Sequence, residues 1–159
     1  MSLAAKVLEA ARAKGWRIAT AESCTGGMVA AALTDIAGSS DVFDRGFVTY
    51  SYGSKQDMLG VKPASLAAHG AVSAEVAREM ARGALRAAGV EIAVAITGVA
   101  GPGASESKPE GMVWFGIAFG DETRAELVEF GALGRKAVRE ASAKHALEML
   151  KCVLDMPSS

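Results

Sequence analysis

The residues Ala21-Glu22-Ser23-Cys24-Thr25-Gly26-Gly27 place a hydroxyl and a thiol directly after a short apolar strand. We expect a helix to begin here, capped by Cys24 or Thr25. The unpaired N–H groups of a helix's first turn favour negative charge. Ser23 is therefore a candidate nucleophile whose oxyanion would be stabilised by nearby N–H groups. The two glycines carry no side chain that would obstruct a ligand.

Two neighbours of Ser23 leave alternatives open. Cys24 competes as the nucleophile, because a thiol near a helix N-terminus has a lowered pKa. Otherwise it is a small buried packing residue, as most free cysteines are. Glu22 acts as a base or binds a ribose hydroxyl in one interpretation, and caps the helix in the other.

A serine nucleophile needs a base that takes its proton. The two histidines, His69 and His145, lie in no cluster that resembles a His-based triad or a zinc site. A lysine can replace histidine if burial depresses its pKa. Lys55 is the best placed candidate, and Tyr50 could hydrogen-bond between Lys55 and the serine or polarise the substrate. In the alternative interpretation Lys55 is an exposed helix residue and Tyr50 closes the core.

Polar or glycine-rich segments follow three predicted strands. They are residues 22–27, 50–55 and 97–103, the last reading Thr97-Gly98-Val99-Ala100-Gly101-Pro102-Gly103. In open α/β sheets, ligands bind in the crevice outside the carboxyl ends of the strands. The three segments therefore predict one site at this edge of the sheet.

The elements that position these residues follow from hydrophobic periodicity and from turn residues. We expect helices at 3–14, 24–35, 54–59, 74–88 and 136–154, and strands at 17–21, 43–51, 90–97, 112–119 and 124–130. Helices and strands alternate through residue 97, and a hairpin follows at Gly120-Asp121. This order predicts an α/β three-layer sandwich with a mixed, partly parallel sheet.

Composition limits the class of protein. A chain of 159 residues fits a single domain, and no apolar run approaches the roughly 20 residues of a membrane span. The net charge of −1, with dispersed Lys and Arg, disfavours nucleic-acid binding. Two distant cysteines form neither a disulfide framework nor a metal motif, so a reducing cytoplasm is expected. The hairpin edge and the apolar composition leave room for a homodimer.

Five blocks of the sequence resemble the C-terminal domain of the competence/damage-inducible CinA proteins, which also occurs as stand-alone nicotinamide-nucleotide amidohydrolases. The blocks, in the family's order, are Ala21 to Gly27, Tyr50-Ser51 with Lys55 and Leu59-Gly60-Val61, Gly70 to Ser73, Thr97 to Gly103, and Lys108-Pro109 with Gly111. The sequence Tyr52-Gly53-Ser54 departs from the Asn-Glu-Ala type that the family usually carries there.

The resemblance implies deamidation of nicotinamide mononucleotide to nicotinic acid mononucleotide, without a metal or organic cofactor. It makes Ser23 the nucleophile, assisted by Tyr50 and Lys55. It places Thr97 and Gly98 in the carboxamide pocket or at the oxyanion. The substrate's phosphate needs a cationic partner. Arg135 and Arg139 are the candidates, or else they are ordinary surface arginines.

Overall fold

A mixed five-stranded sheet lies between two layers of helices in the computed structural model, which describes residues 1–157. The strand order is β2-β1-β3-β4-β5. Strand β1 is parallel to both β2 and β3, while β4 and β5 are antiparallel to their neighbours. The predicted three-layer α/β fold with a mixed sheet is confirmed.

The strands are β1 (Ile18–Glu22), β2 (Phe43–Val48), β3 (Ile92–Gly98), β4 (Met112–Phe119) and β5 (Glu122–Glu129). The helices are α1 (Leu3–Lys14), α2 (Met28–Thr34), α3 (Tyr52–Leu59), α4 (Pro63–His69), α5 (Ala74–Ala88) and α6 (Arg135–Leu154), with a 3₁₀ turn at Ser39–Asp41.

Side-chain size differs between the two faces of β3 and sets how closely the helices approach. Ile92, Val94 and Ile96 point to the layer formed by α1, α2 and α6. Ala93 and Ala95 point to the layer that contains α5. The small residues let α5 pack almost directly on the sheet, which suits a strand buried on both faces. The result is a thin alanine-rich core on one side and a thicker aliphatic core on the other.

Three boundaries differ from the sequence-based expectation in ways that affect the site. Helix α2 begins at Met28, not near Cys24, because Gly26 and Gly27 have φ values of 57° and 109° that interrupt helical geometry. Strand β2 ends at Val48, and α3 begins already at Tyr52, where the Ser51 side chain accepts a hydrogen bond from Ser54 N–H. Residues 49–51 are therefore a loop that leads into a capped helix.

One element was not predicted from the sequence. A short helix, α4, forms at Pro63–His69, and proline is favourable in a helix's first turn. The other observed ends lie within two residues of the expected ones. Within residues 1–157, no helix is both long and apolar enough to cross a membrane.

Candidate active site

Ser23 directly follows β1, at the carboxyl end of the parallel strands. Its N–H donates to the carbonyl of Ile96 in β3 (2.9 Å), so the residue continues the sheet's hydrogen bonding by one step. The side chain lines a cleft of about 290 Å³. Ser23 is held by backbone bonds at the strand end while its hydroxyl faces the cleft.

Glu22 resolves one of the alternatives left open by the sequence. Its carboxyl group is fully buried and accepts hydrogen bonds from Thr25 Oγ1 (2.7 Å) and from the N–H groups of Val29 (3.0 Å) and Ala30 (3.0 Å). It therefore caps α2 from the preceding strand, because Gly27 at the N-cap has no side chain to do so. Glu22 is not in the cleft, which contradicts its placement as a base or ribose ligand.

This capping also changes the source of oxyanion stabilisation. The N–H groups of Val29 and Ala30 donate to Glu22, and Gly26 N–H donates to the Ser23 carbonyl (3.1 Å). The first turn of α2 is thus occupied by the protein's own acceptors. The N–H groups of Val29 and Ala30 are therefore not free to stabilise an oxyanion at Ser23.

Lys55 approaches Ser23 from α3. Its Nζ lies 3.0 Å from Ser23 Oγ and 2.6 Å from the Thr49 carbonyl, with a longer 3.5 Å contact to the Tyr50 carbonyl. The residue is 1% exposed, so the interpretation of Lys55 as a solvated helix residue is wrong. A neutral amine can donate to the two carbonyls and direct its lone pair at the serine hydroxyl.

Burial lowers the pKa of Lys55 from its ordinary 10.5 to about 8, because desolvation disfavours the ammonium form. The Glu106 carboxylate opposes this effect by favouring the charged form, and Cys24 contributes in the same direction. About a tenth of Lys55 is then neutral at pH 7. The candidate nucleophile Ser23 is thus in contact with an amine whose pKa of about 8 lies close to neutrality.

Cys24 lines the same cleft but has the opposite electrostatics. Burial raises the pKa of its thiol to about 11, so the reactive thiolate is disfavoured at neutral pH. The lowered thiol pKa expected at a helix N-terminus is therefore not found. Its side chain is 4% exposed and belongs to the aliphatic core.

Tyr50 and Arg135 form a pair at the rim of the cleft. Arg135 Nη2 donates to the Tyr50 hydroxyl (2.7 Å), and Nη1 donates to the Gly101 carbonyl (2.6 Å). Tyr50 is 61% exposed, so it does not close the core. Lys55 meets the backbone carbonyl of Tyr50, whereas the phenol points to Arg135. Ser23 and Lys55 are thus in direct contact without an intervening phenol.

Of the candidate residues named from the sequence, the cleft is lined by Ser23, Cys24, Tyr50, Lys55, Thr97, Gly98, Gly101 and Arg135, and not by Glu22, Thr25, Gly26, Gly27 or Arg139. Thr97 is almost fully buried, and its hydroxyl donates to the Ala71 carbonyl (2.9 Å). Arg139 donates instead to the carbonyls of Cys24 (3.0 Å) and Thr25 (3.3 Å). Arg139 therefore supports the loop that follows Ser23.

A protein-family model, described as the CinA C-terminal domain, matches residues 1–154 of the chain. The chain belongs to this family. The CinA domain is also 50% identical over 151 residues to nicotinamide-nucleotide amidohydrolase PncC of Escherichia coli K12, a match that covers 94% of this chain and 92% of that protein. The corresponding protein of Enterobacter agglomerans is 49% identical, over 92% of this chain and 90% of its own length.

A solved structure agrees with the assignment of this chain to the CinA family. The competence/damage-inducible protein CihA from Agrobacterium tumefaciens superposes with a TM-score of 0.92 at 45% identity, over 97% of this chain and 94% of that one. A CinA-like protein of Syntrophobacter fumaroxidans is 51% identical over 92% of this chain, but the match covers only 34% of that longer protein.

The cleft of the CinA domain also contains residues that the sequence did not single out for the site, notably Tyr52, Val72 and Glu106. Glu106 accepts hydrogen bonds from the N–H groups of Ala71 (3.1 Å) and Val72 (3.1 Å) and from the Tyr52 hydroxyl. The signal for Glu106 was a carboxylate in the polar stretch that follows the glycine-rich segment 97–103. Tyr52 belongs to the segment that departs from the family pattern.

Proposed function

We propose that this protein hydrolyses the carboxamide of nicotinamide mononucleotide to nicotinic acid mononucleotide and ammonia. The observation that carries the proposal is the 3.0 Å contact between Ser23 Oγ and Lys55 Nζ inside the cleft. The names of the relatives from E. coli and E. agglomerans supply the substrate class. A serine in contact with a buried lysine is an arrangement suited to acyl transfer.

In the proposed reaction, neutral Lys55 takes the Ser23 proton as Oγ attacks the carboxamide carbon. The Cys24 N–H is our candidate for stabilising the oxyanion, since the N–H groups of Ser23 and Gly26 already donate to carbonyls of the protein. When the tetrahedral intermediate collapses, the C–N bond breaks and protonated Lys55 gives its proton to the leaving ammonia. Neutral Lys55 then takes a proton from water as the water attacks the ester carbon. When the C–Oγ bond breaks, Lys55 returns that proton to Ser23 Oγ and the acid product leaves.

Substrate binding is assigned to the rim. Arg135 lines the cleft beside Tyr50, whereas Arg139 does not line it, so Arg135 is the better candidate for the phosphate. Arg135→Met should therefore raise KM for the mononucleotide while it leaves KM for nicotinamide riboside, which lacks the phosphate, nearly unchanged. Equal effects on both substrates would remove Arg135 from phosphate binding.

The direct test is ammonia release from nicotinamide mononucleotide by purified protein, with identification of the acid product. Ser23→Ala and Lys55→Ala should each lower kcat by at least about a thousandfold. Ser40→Ala and Lys62→Ala change exposed residues outside the cleft and serve as matched controls. Tight binding without turnover by the unaltered protein would instead favour a nucleotide-binding or regulatory module.

Several features remain predictions from composition and resemblance. They are a cytoplasmic location, action without a cofactor, the homodimer, and the absence of nucleic-acid or membrane partners. Among residues 1–157, no group of three or more His, Cys, Asp or Glu side chains is arranged to hold a metal ion.

A further inference from the structure

The loop of residues 101–109 forms one wall of the cleft and is fastened to the connection between α4 and α5. Lys108 Nζ donates to the carbonyls of His69 (2.6 Å) and Val72 (2.5 Å). Glu106 accepts from the N–H groups of Ala71 and Val72, and Lys108 Nζ lies 3.2 Å from its carboxylate. The Glu106 carboxylate therefore binds N–H donors, and the Lys108 ammonium binds carbonyl acceptors, of the same short segment, residues 69–72.

The backbone of this loop adopts a conformation that needs such support. Glu106 and Ser107 have φ values of 52° and 62°, in the left-handed region that side-chain-bearing residues seldom occupy. Such a conformation is unfavourable and persists only where surrounding contacts determine it. The hydrogen bonds of Glu106 and Lys108 provide those contacts.

The segment held by Glu106 and Lys108 also contacts a residue that lines the cleft. The Ala71 N–H binds Glu106, while the Ala71 carbonyl accepts the hydroxyl of Thr97, which lines the cleft near the end of β3. Ala71 thus links Glu106 to Thr97 through hydrogen bonds of its N–H and carbonyl groups. Among the described residues, no acidic side chain other than Glu106 lines the cleft. The remaining titratable residues of the cleft are Cys24, Tyr50, Tyr52, Lys55 and Arg135.

We propose that Glu106 is a positioning residue: its carboxylate fastens the loop of residues 101–109 beside the cleft and holds a negative charge in the cleft that Lys55 also lines. This inference rests on the proposed function for its catalytic meaning. The negative charge strengthens the hold of Lys55 on a proton, which makes Lys55 a better base toward Ser23 and keeps the proton available for ammonia. The cost is a smaller neutral fraction at pH 7.

The groups that act on Lys55 agree with this role. Burial lowers the pKa of Lys55, and the largest opposing effect comes from Glu106, followed by the Cys24 thiol. Tyr52 donates to Glu106, and Lys108 pairs with it at 3.2 Å, so both moderate its charge. Burial acts to raise the pKa of Glu106, but hydrogen bonds from Tyr52, Val72, Ala71 and Lys108 together outweigh it and hold that pKa below its ordinary value, so Glu106 is ionised at neutral pH.

The test is Glu106→Gln, which removes the charge and keeps the shape. The rising limb of the kcat/KM profile, which reports deprotonation of Lys55, should move to lower pH by about one unit. The plateau rate should fall because Lys55 becomes a weaker base. Glu110→Gln is the matched control: it alters the adjoining carboxyl group, which binds the N–H groups of Gly103 (2.8 Å) and Gly134 (3.2 Å), and should leave the limb in place.

A second measurement does not depend on turnover. Titration of Lys55 by ¹³C NMR at Cε, assigned by its loss in Lys55→Met, should give a lower pKa in Glu106→Gln and an unchanged one in Glu110→Gln. Lys108→Met should shift the Lys55 pKa upward, and this variant tests the inference if Glu106→Gln does not fold.

The two proposals fail separately. A Lys55 pKa that is the same in the wild-type protein, Glu106→Gln and Lys108→Met would overturn the role of Glu106, whatever the activity. Ammonia release that survives Ser23→Ala would overturn the proposed mechanism and leave the Lys55 titration as an independent result.

Discussion

Replacing Lys55 with methionine should abolish turnover and at the same time stabilise the protein at neutral pH. Methionine has a similar length but carries no charge that must be buried. The pKa of Lys55 falls from 10.5 to about 8 on folding, which corresponds to about 3 kcal/mol of lost stability while the side chain is charged in both states. The stability of the fold is thus reduced to keep a base at the site.

The sign and the pH range follow from proton binding. The folded pKa lies below the unfolded one, so between about pH 8 and pH 10.5 the unfolded chain binds more protons. Stability of the unaltered protein therefore rises with pH across that interval, and this contribution is missing in Lys55→Met. The variant also leaves the Thr49 carbonyl without its lysine donor, a loss of about 1 kcal/mol at every pH.

The variant should accordingly be about 1–2 kcal/mol more stable than the unaltered protein at pH 7. That advantage should decrease by about 2–3 kcal/mol between pH 7 and pH 10. Urea unfolding followed by circular dichroism at several pH values measures the difference. Lys144→Met, at an exposed position of α6, is the control and should show no such trend. A stability difference for Lys55→Met that stays constant from pH 7 to pH 10 would refute the reasoning.

Three further substitutions test the other parts of the site and fold. Cys24→Ala should retain most of the turnover. Iodoacetamide should inactivate the unaltered protein only slowly at pH 7, because the Cys24 thiol is buried with a pKa of about 11. Rapid inactivation that substrate prevents would contradict this. Glu22→Gln should lower stability by about 2 kcal/mol in urea unfolding, because its amide would face the Ala30 N–H, a donor against a donor. Gly116→Ala should destabilise by about 3 kcal/mol or more, since its Cβ would lie 2.1 Å from the Ala77 carbonyl oxygen of α5; a loss below 1 kcal/mol would mean that α5 shifts easily.

The fold could be predicted largely from local pattern. The apolar run before Thr97 has the length and the β-branched content of a buried strand, and Gly120-Asp121 lies between two such runs. Periodicity was weakest where the site lies. Positive φ values at Gly26 and Gly27 moved the start of α2, and the helix cap came from Glu22 in the preceding strand, which no short motif would indicate.

The sequence by itself determined the α/β class and the edge of the sheet at which polar residues gather. It also indicated Ser23 and Lys55 as candidates for one site, a pairing that the resemblance to the CinA family implies as well. Only the tertiary structure decided which of those residues meet. The electrostatics of Cys24 and Lys55 depend on burial, and burial is a property of the packed chain. Likewise Glu106 reaches Val72 across 34 positions of sequence, a contact that exists only once the loop has folded over the cleft.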